Sequence, residues 1–270
     1  MKNSNAHFSH RLEGLLDHAL AILEAALDDP AVPVEKRHAL ALRLLELGTD
    51  QVTPAEPVML PVEFVTIAQF LPPALHRDVV AFAASQRCRL QASRVTTGKP
   101  DYRHSQVLDE PVFPELERQV RAEIDAVLPD VFAALGHARF KPAKVELQLT
   151  AHGDGAFFKV HSDSGTDETV SRVLTFVIYF QLREPRGFEG GVLRVYQTDL
   201  DAEGRTRQHR PDVFRDLAPE DNMVVFFDSR LSHEVLPVRV PSGAYEDGRF
   251  TLNGWLHQSE QEVQASVVQP

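Results

Sequence analysis

Apolar positions recur at helical spacing through the first fifty residues. Leucine and alanine repeat every three or four residues in two stretches, 12–27 and 34–47. Pro30 and Pro33 interrupt the pattern between these stretches, because proline does not continue a helix. The pattern therefore predicts an N-terminal helical hairpin over residues 1–52.

A region of mixed pattern follows a proline-containing linker. The segment FLPPALHRDVVAFAASQ predicts a helix that begins at its two prolines. Pro114 begins a second helical stretch, which continues to about Leu135. Residues 90–112, between the two helices, show no regular period, so we expect irregular structure there.

Beyond Lys141 the apolar and polar positions alternate, which is the period of a half-buried strand. VELQLTAH shows the alternation, and six further strand-like segments follow it: FFKVHSD, RVLTFVIYFQL, GGVLRVY, MVVFFDS, HEVLPVRV and RFTLNGWLH. The charged segment RTRQHRPD is predicted to be a loop. Helices followed by many short strands predict an α+β chain with a mainly β core, a barrel or sandwich, and flanking helices.

Composition narrows the class of protein. The chain has 270 residues and a formal net charge of −11, which disfavours nucleic acid and anionic membranes as partners. No apolar run is long enough to span a membrane, and the N-terminal segment MKNSNAHFSHRLEG lacks the apolar core of a signal peptide. The single cysteine, Cys88, cannot form an internal disulfide. We therefore expect a cytoplasmic protein.

Two histidines and an aspartate form the most specific chemical pattern. On a strand, His161 and Asp163 point to the same side, so one strand offers two ligands to one ion. His233 follows the strand that ends in FFDS and is the candidate for the third ligand. Two imidazoles and one carboxylate, with open positions opposite, select non-haem Fe(II), although Mn, Co, Ni and Zn also bind such a set.

Other histidines and acids compete for the role of ligand. His152 could replace the first histidine of the pair, but the glycines that follow it, Gly153 and Gly155, place it in a turn. Asp154 and Asp167 are expected to be solvated turn residues. His209, in the charged segment, and His257, near the C-terminal end, lack a partner at strand spacing.

Five segments, in this order, resemble one known family: GDGAFFKVHSD, SRVLTFVIYF, FEGGVLRVY, MVVFFDSRLSHEVLPV and GRFTLNGWLH. The family is the Fe(II)/2-oxoglutarate-dependent dioxygenases, in the prolyl 4-hydroxylase-like group, and the resemblance covers roughly residues 60–258. It implies a double-stranded β-helix, a jelly-roll (cupin-like) fold, in a domain over residues 60–262. It also implies that His161, Asp163 and His233 are the iron ligands.

The resemblance further implies a set of cosubstrate contacts. Arg249 matches the arginine that pairs with the distal carboxylate of 2-oxoglutarate, and Tyr179 matches a tyrosine that reaches the cosubstrate. Val235 would form an apolar wall of the same pocket. The interval from His233 to Arg249 is longer than usual, so Arg239 is an alternative. The alternation in RFTLNGW, typical of a buried final strand, favours Arg249.

Two further positions complete this expected pocket. Asn253 shares the inward face of the last strand with Thr251 and Trp255, because the three alternate with the arginine. Many relatives carry a tyrosine about ten residues before the first histidine, where this chain has Ala151. Gln148 is the candidate that takes over its contact.

The implied activity is hydroxylation of an unactivated C–H bond in a small-molecule or amino-acid-like substrate, free or carrier-bound. The enzyme would bind Fe(II), consume 2-oxoglutarate and O2, and release succinate and CO2. Ascorbate is a candidate reductant. Arg103, Arg172 and Arg194 are candidate substrate contacts. A peptidyl prolyl hydroxylase and a non-catalytic metal-binding module are the alternatives. A homodimer formed through the N-terminal helices is a candidate assembly.

Overall fold

The computed structural model describes residues 58–93, 102–108, 114–166 and 168–259, with two isolated positions, Pro33 and Lys36. The chain divides into two compact units, Met1–Glu56 and Pro57–Pro270. The helical hairpin predicted over residues 1–52 lies outside the described residues. In the part of the chain that is described, no helix has both the length and the apolar character needed to cross a membrane.

Strands dominate the second unit. In chain order the strands are β1 (Val58–Leu60), β2 (Val65–Ile67), β3 (Gln91–Ala92), β4 (Arg103–His104), β5 (Gln106–Leu108), β6 (Lys144–His152), β7 (Phe157–His161), β8 (Arg172–Phe180), β9 (Glu189–Gly190), β10 (Leu193–Leu200), β11 (Thr206–Leu217), β12 (Met223–Asp228), β13 (His233–Val235), β14 (Val238–Arg239) and β15 (Arg249–His257). Helix α1 spans Pro73–Ser85 and helix α2 spans Pro114–Ala134. The prediction of a mainly β core with flanking helices is confirmed.

Two main sheets contain most of these strands, and β14 pairs with β9 in a third, two-stranded sheet. The larger has the order β2-β12-β8-β15-β6-β5-β3, and the smaller has the order β1-β10-β13-β7-β4 with β11 paired to β10. Successive strands from β6 onward pass between the sheets, so that β6 and β8 lie in the larger sheet and β7 and β10 in the smaller. This alternation is the arrangement of a jelly-roll.

The larger sheet is buried on both faces. One face packs on the helices, where Ile124 of α2 and Phe176 of β8 belong to the same apolar cluster. The opposite face carries Val177 and Tyr179, which cluster with Leu193 of the smaller sheet. Because neighbouring residues of a strand point to opposite faces, a strand covered on both sides reads as a continuous apolar run, as RVLTFVIYF does.

The prediction of a loop over RTRQHRPD was wrong. These residues belong to β11, a twelve-residue strand that pairs along β10 at the edge of the smaller sheet. Its side chains are mostly exposed, so the apolar alternation that signals a strand is missing. Pro211 is tolerated because an edge strand has one row of backbone groups outside the ladder. The predicted irregular stretch 90–112 likewise contains the short strands β3, β4 and β5.

Candidate active site

Two neighbouring strands of the smaller sheet bring the predicted ligands together. His161 ends β7 and His233 begins β13, and the two residues are direct cross-strand partners. Asp163 follows β7, where its backbone N–H donates to the carbonyl oxygen of Ser229 at 2.9 Å. One ligand atom from each of the three residues lies within 4.8 Å of the others.

The hydrogen bonds of both imidazoles fix which nitrogen carries the proton. His161 Nδ1 lies 2.9 Å from the carbonyl oxygen of Lys159, and His233 Nδ1 lies 2.9 Å from that of Leu231. A carbonyl oxygen only accepts, so each Nδ1 is the donor and each Nε2 keeps its lone pair. The Nε2 atoms lie 3.7 Å (His161) and 3.4 Å (His233) from oxygens of Asp163. The lone pairs therefore converge as they do around a metal ion.

The electrostatics suit a cation at this point. Burial lowers the pKa of His161 to about 3, and the nearby His233 adds to the effect, so the imidazole is neutral at physiological pH. Burial alone would raise the pKa of Asp163, but the two histidines and a hydrogen bond from Thr175 Oγ1 at 2.8 Å lower it overall. Neutral imidazoles and an ionised carboxylate are the protonation states that bind metal.

The three residues open into a cavity between the sheets. Its empty volume is about 500 Å³, part of it open to solvent. The lining includes every predicted cosubstrate residue: Gln148, Tyr179, Val235, Arg249 and Asn253. Arg239, the alternative to Arg249, lies on β14 instead, where its Nη1 pairs with Glu189 at 2.8 Å on the surface.

Arg249 is a buried cation in this cavity. Its side chain begins β15 and is 2% exposed, and its guanidinium carbon lies 5.1 Å from the centre of the Tyr179 ring. Gly191 leaves room for it, because a Cβ at that position would lie 2.5 Å from Arg249 Cδ. No carboxylate lies within ion-pairing distance of Arg249 among the described residues. A buried guanidinium without an ion-pair partner favours the binding of an anion that enters the cavity.

Buried donors near Arg249 also lack partners within the described part of the chain. They are Arg249 Nε, the hydroxyl of Tyr179 and the hydroxyl of Thr251. Burial raises the pKa of Tyr179, so its hydroxyl is protonated and can donate. Buried polar groups are normally hydrogen-bonded, and a dicarboxylate supplies the missing acceptors. The residues present therefore fit 2-oxoglutarate beside a metal ion.

The structure separates the three arginines predicted to contact substrate. Arg103 lines the cavity, donates to Gln148 Oε1 at 3.2 Å and lies over the ring of Phe158 at 4.6 Å. Arg172 is instead paired with Glu146 at 2.6 Å, and Arg194 with Asp216 at 2.7 Å across β10 and β11. Neither of these two lines the cavity.

His152 and Phe158 are among the cavity residues that the sequence argument did not assign to the site. His152 was expected in a turn, which was wrong: it ends strand β6, is 3% exposed and lines the cavity. The signal was present, because His152 has the same strand parity as Gln148. Phe158 stacks on the His161 imidazole, with ring centres 3.5 Å apart. Its spacing of three from His161 hides this contact, which a register shift between β7 and β13 allows.

Comparison with known proteins identifies relatives of this chain. The family model described as the 2OG-Fe(II) oxygenase superfamily matches residues 147–257, which contain all the residues of the candidate metal site. An uncharacterised PKHD-type hydroxylase of Synechocystis sp. is 37% identical over 204 residues. The match covers 76% of this chain and 66% of that protein, so the chain spans just under two thirds of the relative's length.

Solved structures share the fold. A prolyl-4-hydroxylase of Pseudomonas putida is 24% identical, with a TM-score of 0.52, and the match covers 80% of this chain and 99% of that one. A prolyl hydroxylase of Trichoplax adhaerens, in complex with a hypoxia inducible factor peptide fragment, is 14% identical with a TM-score of 0.54. That match covers 90% of this chain and 100% of the other.

Proposed function

We propose that this chain, whose residues 147–257 match the 2OG-Fe(II) oxygenase superfamily, is a hydroxylase of that superfamily that uses Fe(II), 2-oxoglutarate and O2. One observation carries this proposal. Two imidazole Nε2 atoms and a carboxylate converge within 4.8 Å in the same cavity as a buried arginine for which the described residues provide no carboxylate. Neither feature alone specifies the reaction, but together they match a metal and a dicarboxylate.

His161, Asp163 and His233 would hold the iron. The carbonyl oxygens of Lys159 and Leu231 accept from the Nδ1 atoms and thereby hold both rings with Nε2 towards the metal. The hydroxyl of Thr175 donates a hydrogen bond to Oδ2 of Asp163 and thereby orients that carboxylate. The set leaves open positions for other ligands, as in the 2-His-1-carboxylate sites of non-haem iron oxygenases.

Arg249 would bind the distal carboxylate of 2-oxoglutarate. Its planar guanidinium suits a carboxylate, and its burial strengthens the pairing because water does not compete. Tyr179 is positioned to donate to the same carboxylate, since its hydroxyl is buried without a partner within the described residues. Val235, Asn253 and Gln148 complete the walls and keep water from the site.

When bound, Fe(II) and 2-oxoglutarate supply the activation of O2, and the overall reaction converts 2-oxoglutarate, O2 and a C–H bond into succinate, CO2 and a hydroxylated product. The contribution of the chain is placement and exclusion of water. Ascorbate is the proposed reductant for iron that oxidises without substrate.

The proposed substrate is a small, amino-acid-like molecule. Arg103 supports this, because it places a second cation in the lining of the cavity. Its guanidinium lies over the ring of Phe158, and that ring stacks on the imidazole of His161. A carboxylate of the substrate would pair with Arg103 in addition to the contact that this arginine makes with Gln148. Arg172 and Arg194 lie outside the lining. Peptidyl prolyl hydroxylation is the alternative that substrate screening separates from this one.

Succinate formation tests the proposal. The purified protein, supplied with Fe(II), ascorbate, 2-oxoglutarate and O2, is expected to release succinate slowly, and faster when a substrate is present. His233→Ala should abolish this activity, whereas His209→Ala, on the edge strand β11, should leave it unchanged. A non-catalytic metal-binding module would bind iron and release no succinate under any of these conditions.

A further inference from the structure

His152 occupies a distinctive position beside Arg249. It ends strand β6 and is the cross-strand partner of Arg249 on β15. Its side chain lines the cavity and is 3% exposed. His152 is not a candidate metal ligand, because the group whose ligand atoms converge consists of His161, Asp163 and His233.

The contact with Arg249 determines the tautomer of His152. Its Nδ1 lies 3.2 Å from Arg249 Nη1. A guanidinium only donates, so Nδ1 must accept and the single proton of the neutral ring lies on Nε2. Burial, with the positive charges of Arg249 and Arg103, lowers the pKa of His152 well below its usual value and keeps the ring neutral.

The resulting Nε2–H is a buried donor without an acceptor. Nε2 has no hydrogen-bond partner among the described residues. The two ring nitrogens point in different directions, so Nε2–H faces away from the guanidinium that Nδ1 contacts. Leaving such a donor unpaired costs free energy, and native structures seldom do so. Because the side chain lines the cavity, a molecule bound there can supply the acceptor.

The surroundings select an anionic acceptor. Arg249 and Arg103 both line the cavity, and the only acid in its described lining is Asp163, one of the candidate metal ligands. Gln148, the residue expected to make this contact, already accepts from Arg103 and from Thr150 through Oε1. A neutral histidine supports anion binding in a way that an acid could not, because an acid would pair with Arg249 and neutralise it.

We propose that His152 is a second cosubstrate-binding residue, whose Nε2–H donates to a carboxylate oxygen of 2-oxoglutarate while its Nδ1 holds Arg249 in place. This assignment rests on the proposed function. It gives His152 two roles: Nε2 binds the cosubstrate, and Nδ1 positions Arg249.

Isosteric variants separate the two nitrogens. His152→Gln keeps a donor near the position of Nε2, whereas His152→Asn keeps an acceptor near that of Nδ1 and loses the donor. His152→Phe keeps a ring and loses both groups. The measurement is the dissociation constant of 2-oxoglutarate, from anaerobic titration of each Fe(II)-loaded variant, with the iron content and the melting temperature of the apoprotein as controls.

The assignment expects His152→Asn and His152→Phe to weaken 2-oxoglutarate binding about 10- to 100-fold, the effect of one hydrogen bond to a charged group. His152→Gln, which keeps the donor and loses only the contact with Arg249, should weaken binding less than His152→Phe does, with iron content unchanged in all three. If His152→Asn does not fold, the comparison of Phe with Gln at this position still isolates the donor.

Two results would overturn the assignment. If wild-type protein binds 2-oxoglutarate and His152→Asn or His152→Phe binds it equally well, Nε2–H makes no contact with the cosubstrate and only this inference fails. If His152→Asn binds normally and His152→Gln does not, His152 acts solely by holding Arg249. A wild type that binds iron but no 2-oxoglutarate removes the proposed function as well.

Discussion

Arg249 shows how a single side chain can define a ligand. The guanidinium is buried against Tyr179 and faces no carboxylate of the described chain. Burying a charge is costly unless the charge is paired. The charge of Arg249 therefore favours binding of an anion in the cavity, and the proposed cosubstrate would supply that anion.

Replacing this arginine should remove cosubstrate affinity. We expect Arg249→Gln to weaken 2-oxoglutarate binding about 100-fold, because the charge-assisted pair with the distal carboxylate is lost. Arg239→Gln is the matched control, since Arg239 pairs with Glu189 on the surface. Isothermal titration under anaerobic conditions measures both. Equal loss in the two variants would mean that the buried position of Arg249 has no special role.

Gly191 offers a test of the space that Arg249 needs. A Cβ there would lie 2.5 Å from Arg249 Cδ, and the residue has φ +64°, so alanine introduces both a collision and backbone strain. Gly243 has φ +63° with nothing within 4 Å of a Cβ, so alanine there introduces strain alone. Gly243→Ala should lose about 1 kcal/mol of unfolding free energy, and Gly191→Ala should lose more because of the added collision. Only Gly191→Ala should weaken 2-oxoglutarate binding, and normal binding by it would show that Arg249 tolerates displacement.

The sequence predicted the positions of these residues where the alternation of side chains along one strand was enough to do so. The spacing of two between His161 and Asp163 predicted their convergence, although the strand ends at His161. Arg249 follows from the period of the last strand. His152 was missed because Gly153 and Gly155 suggested a turn, although its parity matches that of Gln148. The contact between His152 and Arg249 depends on the pairing of β6 with β15, and alternation within one strand carries no information about its partner.

At the scale of elements, three neighbouring strands of the larger sheet are linked by one acid. Glu146 on β6 lies 2.6 Å from Arg172 on β8 and 3.5 Å from His257 on β15. Arg172 in turn lies over the ring of Trp255, which lines the candidate active site. The strand order β8-β15-β6 thus has a polar link beside its catalytic end.

This link predicts a dependence of stability on pH. His257, Lys144 and Arg172 hold the pKa of Glu146 well below its usual value. Because the folded-state pKa is depressed, the stabilisation is present above the unfolded pKa of about 4.3 and is lost as pH falls through and below it. Glu146→Gln should therefore lower the unfolding free energy at pH 7 and flatten its decline between about pH 5 and pH 3. Urea unfolding measures this, with exposed Glu63→Gln as control; an unchanged slope would contradict the link.

The elements were predictable in proportion to their burial. Strand β8 is buried on both faces and β15 on most of its length, so their apolar residues stand out in the sequence. Strand β11 is exposed and carries charges on both faces, so nothing in its composition distinguishes it from a loop. Backbone pairing with β10 forms that strand, and such pairing leaves no mark on side-chain polarity.

At the scale of the whole molecule, the two sheets form a scaffold that aims groups from both sides at one cavity. The smaller sheet contributes His161 and His233, and the larger contributes Tyr179 and Arg249. The family resemblance, with the metal and cosubstrate chemistry that it implies, was predicted from the ordered segments, and the comparisons match the same family. The order of strands in each sheet was not predictable, because it is set by packing between distant segments.

Ligand binding should stabilise this scaffold as a whole. A ligand that binds only the folded state adds about 2.7 kcal/mol at one hundred times its dissociation constant. We expect Mn(II), as a redox-stable substitute for Fe(II), to raise the melting temperature, and 2-oxoglutarate to raise it further only when metal is present. A chelator should reverse both shifts, and Asp163→Ala should show neither. A 2-oxoglutarate shift without metal would contradict joint binding in one cavity.

The most direct test of the central claim is anaerobic titration of the Fe(II)-loaded protein with 2-oxoglutarate, followed in the visible spectrum. Chelation of Fe(II) by a 2-oxo acid produces a metal-to-ligand charge-transfer band. The account predicts that this band appears and saturates in the wild type and is absent in His161→Ala and Asp163→Ala. A folded, iron-loaded wild type that forms no band at saturating 2-oxoglutarate would contradict the account.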